Sequence, residues 1–253
     1  MRYFVDLAYN GTNYHGWQIQ PNAVTVQEKV NNALSLVLKQ NINCMGAGRT
    51  DTGVHATKMI AHFDADIPFD QDDLKFKLNS FLPKDIAVRD IKAVFPKAHA
   101  RFDAVQRTYI YKISPTKDPF NQNKVYYYPL PLEVKIMNEA SKILFEYNDF
   151  ECFSRSHSDV KTFLCDINYA KWTFSENTLE FKISANRFLR NMVRAIVGTM
   201  LDVGTKKTSL DVFHQIIQSK DRSLAGASAP AHGLYLTDIL YPNSIFDHEK
   251  FQK

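Results

Sequence analysis

Residues Arg2 to Tyr9 (RYFVDLAY) are rich in aromatic and β-branched side chains with apolar positions at every second residue, which predicts a strand. The turn-forming segment NGTNYHGW follows. Thr25 and Glu28 then have capping-box spacing, and Val26, Val30, Ala33, Leu34 and Val37 draw an apolar stripe along a helix. KMIAHFDAD reads as a strand leaving a glycine-rich loop, and Asp70 is placed to cap a second helix carrying Leu74, Leu78 and Phe81. Two more strands are predicted at DIAVRDIKAVF and RTYIYKIS. A helix follows from about Val134 to Tyr147, then a strand pair near Tyr169 to Ser184, a long helix starting near Asn186 and a last strand at GLYLTDILY.

Ser114 to Pro131 holds four prolines and few core positions, so a connection is expected over 114–131, joining an N-terminal half, 1–113, to a C-terminal half, 132–253. The order strand–helix–strand, helix, strand–strand occurs in both. That pattern predicts two α+β halves with largely antiparallel sheets. No internal repeat is visible in the residues themselves.

Composition narrows the chemistry. The 253 residues suffice for one large or two smaller cores, and 45% hydrophobic with 23% charged residues is ordinary for a globular chain. No apolar run of membrane length and no leader pattern is visible, so the expectation is a cytoplasmic protein. Cys44, Cys152 and Cys165 are odd in number and lack C-x-x-C spacing, which argues against a disulfide framework and a thiolate zinc site. A net charge of +4 raises the prior for a nucleic-acid partner only slightly.

The loop before the second predicted strand is chemically odd: GRTDTG sets Arg49 and Asp51 among Gly46, Gly48 and Gly53. Its spacing matches no phosphate-binding glycine motif, and Asp51 would repel a phosphate. Nucleotide cofactors are therefore not expected, and scattered histidines without H-E-x-x-H give a catalytic metal no support. Asp51-Thr52-Gly53 is also the tripeptide of aspartic proteases, but that chemistry needs a second carboxylate and no partner motif exists. Taken alone, the loop also fits an Asx turn with a surface arginine.

Two other segments shift the balance. In NRFLRNMVRAIVGTMLDVG, Leu189, Met192, Val193, Ile196 and Met200 define a buried helix face. Arg187, Arg190 and Arg194 would fall within an arc of about 60° on another side, a surface suited to an anionic ligand. In RTYIYKIS, Tyr109 and Tyr111 share a strand face beside a basic residue, an arrangement suited to base stacking or simply to packing.

Together these segments resemble the TruA family of tRNA pseudouridine synthases. GRTDTGVHA is similar to its catalytic-aspartate signature. YNGTNYHGWQIQP, NSFLPKDIAV, HARFDAVQRTYIY, NRFLRNMVRAIVGTM and GLYLTDILYP resemble further family blocks, in the same order and over nearly the whole chain. Thr52 stands where the family often has alanine.

The resemblance implies the pseudouridine synthase fold: two related RRM- or ferredoxin-like halves forming a continuous, mostly antiparallel mixed sheet of eight strands flanked by helices. It implies isomerisation of uridine to pseudouridine at positions 38, 39 and 40 in the anticodon stem-loop of tRNA, by a homodimer and without cofactor or metal. Asp51 would be the nucleophile. Arg49 would hold the backbone of the flipped nucleotide, and Tyr109 would stack on its uracil. Arg194 would pair with Asp51 and favour its ionised form. A non-catalytic RNA-binding protein on the same scaffold is the alternative.

Overall fold

The structure, a computed structural model, describes residues 1–155, 160–175 and 177–246. Among them the strands are β1 (Arg2–Tyr9), β2 (Met45–Gly46), β3 (His55–Asp64), β4 (Ile86–Ala93), β5 (Gln106–Ser114), β6 (Tyr126–Tyr127), β7 (Ile167–Ser175), β8 (Thr178–Ala185) and β9 (Leu234–Leu240). The α-helices are α1 (Val26–Leu38), α2 (Gln71–Phe81), α3 (Val134–Ile143), α4 (Met192–Gly204) and α5 (Leu210–Ser219). The fold is thus α+β and mostly antiparallel. It has nine strands rather than the eight implied by resemblance, two of them (β2 and β6) only two residues long.

Contacts divide the chain into two units, Met1–Val105 with Leu236 onward, and Gln106–Tyr235. The proline-rich stretch 114–131 lies inside the second unit, and the chain returns to the first unit at its C-terminal end.

In the first unit the strand order is β4-β1-β3-β9, with β2 on β3; β1 runs antiparallel to both β3 and β4. Tyr3, Val5, Leu7 and Tyr9 of β1 are buried on one face, and Phe4 on the other is buried too; in β3 the whole run Met59–Phe63 is buried, so both faces of the sheet are covered there. Leu34 of α1 and Leu74 and Leu78 of α2 are buried too. Thr25 and Asp70 cap these helices, accepting hydrogen bonds from the N–H groups of Glu28 (3.4 Å) and Asp73 (2.8 Å). Phe81 departs from the expected stripe. It is the last helical residue, 59% exposed, and the chain turns extended after it so that Leu82 is buried instead.

In the second unit the order is β5-β8-β7, antiparallel throughout, with the short β6 parallel to β5. Trp172 of β7 and Phe181 of β8 stack with centroids 4.8 Å apart. Helix α4 is buried nearly all round: of its residues only Arg194 and Asp202 are not, as expected for a helix without a polar face. It begins at Met192 rather than near Asn186. Asn191 takes a left-handed conformation (φ 67°), so helical geometry cannot continue through it, and residues 186–190 form an irregular approach. The arc expected to unite Arg187, Arg190 and Arg194 therefore does not exist, because only Arg194 is on the helix. Helix α5, with Ser209 accepting from Val212 (3.2 Å), was not anticipated.

Candidate active site

The GRTDTG loop is held in place by the segment before α1. Strand β2 pairs with β3 (Gly46 opposite Ala61), and the Ala47 N–H donates to Ile60 (2.8 Å). The loop then turns back, with Gly53 at φ +78° and the Val54 N–H donating to the Asp51 carbonyl (3.1 Å). Residues 11–17 lie across it as a strap. Gly53 donates its N–H to the Tyr14 carbonyl (3.2 Å), and Trp17 donates to the Thr50 carbonyl (3.4 Å). At Gly16 (φ +84°), an added Cβ would lie 2.2 Å from the Thr50 oxygen, so strap and loop can approach this closely only where no side chain intervenes.

The strap is tied in turn to α1. The N–H groups of Val26 and Gln27, otherwise unpaired at a helix start, donate to Gly16 (3.2 Å) and Trp17 (2.9 Å). The Gln27 side chain donates to the Cys44 carbonyl (2.6 Å). Tyr14 and Trp17 are buried, and the Tyr14 hydroxyl donates to Asp85 (2.6 Å). Burial, and then that carboxylate, hold the Tyr14 phenol far above its ordinary pKa, so it remains a donor. The scaffolding role of this strap was missed in the sequence. The available signal was two large aromatic residues, Tyr14 and Trp17, in an otherwise polar, turn-rich segment.

Within the loop Thr50 is the anchor. It is buried, and its hydroxyl shares a hydrogen bond with the Tyr9 hydroxyl (2.9 Å). With Thr50 facing inward, Arg49 is exposed and Asp51 half-buried. The sequence thus presents a guanidinium and a carboxylate on either side of one pinned residue.

The other two predicted residues lie in the second unit. Tyr109, on β5 opposite Ile183, is half-buried and meets the Phe188 ring edge-on at 5.2 Å. Tyr111, expected on the same face, is fully buried, and its hydroxyl donates to Pro230 (2.7 Å). It is a packing residue. Arg194, in the first turn of α4, donates its Nε–H to the Ala229 carbonyl (2.8 Å), while the Ala229 N–H donates to the Arg194 carbonyl (2.9 Å). This reciprocal pair fixes the guanidinium plane. The loop behind it is wound on Arg222, whose guanidinium donates to Ala225 and Gly226 carbonyls and to the Ser228 hydroxyl. Asn191 donates to the same hydroxyl (2.7 Å). Arg187 is half-buried and Arg190 exposed.

Among the described residues no group of three or more His, Cys, Asp or Glu side chains could hold a metal ion, and no helix is long and apolar enough to cross a membrane. All three cysteines are buried free thiols, pushed by burial up to about 12 (Cys44 and Cys152) and about 11 (Cys165), so none is a ready nucleophile.

A family model described as tRNA pseudouridine synthase matches residues 7–103 and 142–242. The chain is 53% identical over 251 residues to the tRNA pseudouridine synthase A of Parabacteroides distasonis, covering 98% of this chain and 99% of the relative. To the protein of that name from Bacteroides fragilis it is 52% identical, covering 97% and 98%, and to one from a Geobacillus species 40%, covering 94% and 97%. The matched residues take in both the pinned GRTDTG loop and the start of α4, and on this similarity the chain belongs to the tRNA pseudouridine synthase family.

Proposed function

We propose that this protein is an isomerase that converts uridine to pseudouridine in tRNA, with Asp51 as its nucleophile. The observation that carries the reading is the state of the loop: Thr50 and Gly53 are pinned while Asp51 between them stays half-exposed. A carboxylate held this way is oriented before substrate arrives, which removes reorganisation from the reaction step.

The reaction is internally balanced. The bond from ribose C1′ to uracil N1 breaks and one from C1′ to C5 forms. The proton leaves C5, and a proton is gained at N1. No redox equivalent is consumed. Asp51 acts on the sugar carbon or on the pyrimidine ring, and both routes require the ionised carboxylate.

A base inside a stem cannot reach such a loop, so the target nucleotide leaves the stack at a cost of a few kcal/mol. Arg49, exposed beside Asp51, is assigned to hold the backbone of that nucleotide. Tyr109 offers a ring for stacking on the uracil and a hydroxyl for proton removal at C5. Arg194, its plane fixed by Ala229, is assigned as the counter-charge that favours ionised Asp51.

The substrate site proposed is positions 38, 39 and 40 of the anticodon stem-loop, and the working form a cytoplasmic homodimer. The test is tritium release from tRNA transcripts labelled at uracil C5. Release is expected from a transcript with uridine at 38–40, and none from one carrying cytidine there. Binding without release would instead identify an RNA-binding protein on this scaffold.

A further inference from the structure

A stack of rings runs from the core of the first unit to solvent, on the segment after β4. His62 of β3, buried, meets the His99 ring at 4.6 Å between centroids, and His99 meets Phe102 at 4.2 Å with 32° between planes. The Arg101 guanidinium carbon lies 5.5 Å from the Phe102 centroid. Despite these neighbours, Phe102 is 72% exposed.

The loop is built to hold this ring in place. His99 Nδ1 accepts the N–H groups of Arg101 (3.1 Å) and Phe102 (3.3 Å). The His99 N–H donates to the Asp103 carboxylate (2.7 Å), and the Asp103 N–H returns a bond to the His99 carbonyl (3.0 Å). His62 Nδ1 accepts from Ala100 (3.1 Å). Burial is the main force lowering the pKa of both imidazoles, which keeps them neutral and their Nδ1 lone pairs available. A phenyl ring left in water forgoes about 1.5–3 kcal/mol of burial. The His62–Ala100 bond belongs to the core, but the bonds that His99 Nδ1 accepts order a ring that stays outside it.

We infer that Phe102, with Arg101 beside it, is a stacking platform for an unpaired nucleobase of the RNA substrate, on a loop separate from the one that carries Asp51. An aromatic face accepts any base, and a neighbouring guanidinium complements the phosphate attached to it. Lys97, exposed on the same segment, adds charge of the same sign. Charge beside the ring favours a nucleic acid over an apolar protein surface as the occupant. The inference rests on the RNA-modifying function proposed above.

The experiment measures binding of an unmodified tRNA transcript to the full-length protein by filter retention at fixed salt. Phe102→Leu should weaken binding roughly five- to a hundredfold, the range for loss of one base–aromatic stack. Phe102→Trp should retain it. Arg101→Gln should reduce the slope of log affinity against log salt by about 1. Unchanged thermal unfolding of Phe102→Leu assigns the loss to contact rather than folding. If wild type binds and isomerises tRNA while Phe102→Leu binds equally well, the platform is overturned and the proposed function stands. The platform is equally overturned if Phe102→Leu alters only self-association in the ultracentrifuge, which would assign the ring to a contact between copies. A wild-type protein that neither binds nor isomerises tRNA refutes both readings before any substitution is made.

Discussion

Thr50 fixes the backbone one residue away from Asp51. Its buried hydroxyl and carbonyl are both engaged, by Tyr9 and Trp17, so Asp51 has little backbone freedom left to lose on binding substrate. Tyr109 meets the Phe188 ring edge-on, and its two assigned roles can be separated. Tyr109→Phe keeps the ring and loses the hydroxyl, so tRNA affinity should hold while single-turnover rates fall by about 10²-fold or more, a typical contribution from a positioned proton-transfer group. Tyr109→Leu should lose affinity as well. Wild-type behaviour of both variants, in binding and in single-turnover kinetics, would remove Tyr109 from the site. Legibility at this scale was uneven. Arg49, Asp51 and Thr50 could be read as an unusual cluster because glycines surround them. Arg187 and Arg190 were placed wrongly because 3.6-residue periodicity continues through Asn191 in the sequence. The left-handed turn that interrupts it depends on tertiary contacts, including Asn191 to Ser228.

Among the elements, the two units share a device for their β4 and β7 strands. In the first, the Asn79 amide of α2 both donates to the Val88 carbonyl and accepts from the Val88 N–H, each at 2.8 Å. In the second, Asn138 of α3 does the same to Trp172 of β7, at 3.1 and 2.9 Å. β4 and β7 end the strand order in their units, so each asparagine occupies backbone groups that would otherwise be open to another strand. Replacing either by alanine leaves a donor and an acceptor without their protein partners. Asn79→Ala and Asn138→Ala should each cost about 1–3 kcal/mol, read as a lower urea midpoint with unchanged m-value. A change below about 0.3 kcal/mol would show that water replaces the amide without loss. Nothing in the sequence announced this pairing, since an asparagine within a helix reads locally as a weak helix former. The strands were legible because β1, β3 and β5 are rich in aromatic, β-branched and other apolar residues and are bounded by turn-forming segments. Helix α5 was not noticed, although Ser209, Phe213, Ile216 and Ile217 carry the capping and apolar spacing that define it.

For the molecule as a whole, the ring stack makes stability depend on acid. His62 is neutral in the fold, its pKa pushed down to about 4 by burial first and by Arg2 and His99 after it, whereas in the unfolded chain it titrates near 6.5. The unfolded state therefore binds the extra proton between these values. His62's contribution is intact above about pH 6.5 and is lost as pH falls toward 4, amounting to about 2 kcal/mol between pH 7.5 and 5. Urea unfolding at those two pH values should show this loss in wild type and less of it in His62→Gln. Equal losses would place the acid sensitivity elsewhere. The α+β class and the family could be read from the chain, because motif order survives in sequence. The division at Val105 could not, since it depends on the C-terminal strand returning to the first unit.

The proposed function requires that Asp51, presented by a loop pinned through Thr50 and Gly53, performs the chemistry. Asp51→Asn is nearly isosteric and leaves the Val54-to-Asp51 backbone hydrogen bond available while removing the carboxylate charge. The direct measurement is tritium release from C5-labelled tRNA by this variant beside wild type, with tRNA affinity measured in the same preparations. No detectable release is expected from Asp51→Asn, with affinity within a few-fold of wild type. Tritium release by the variant at a rate near that of wild type would contradict the role proposed for Asp51.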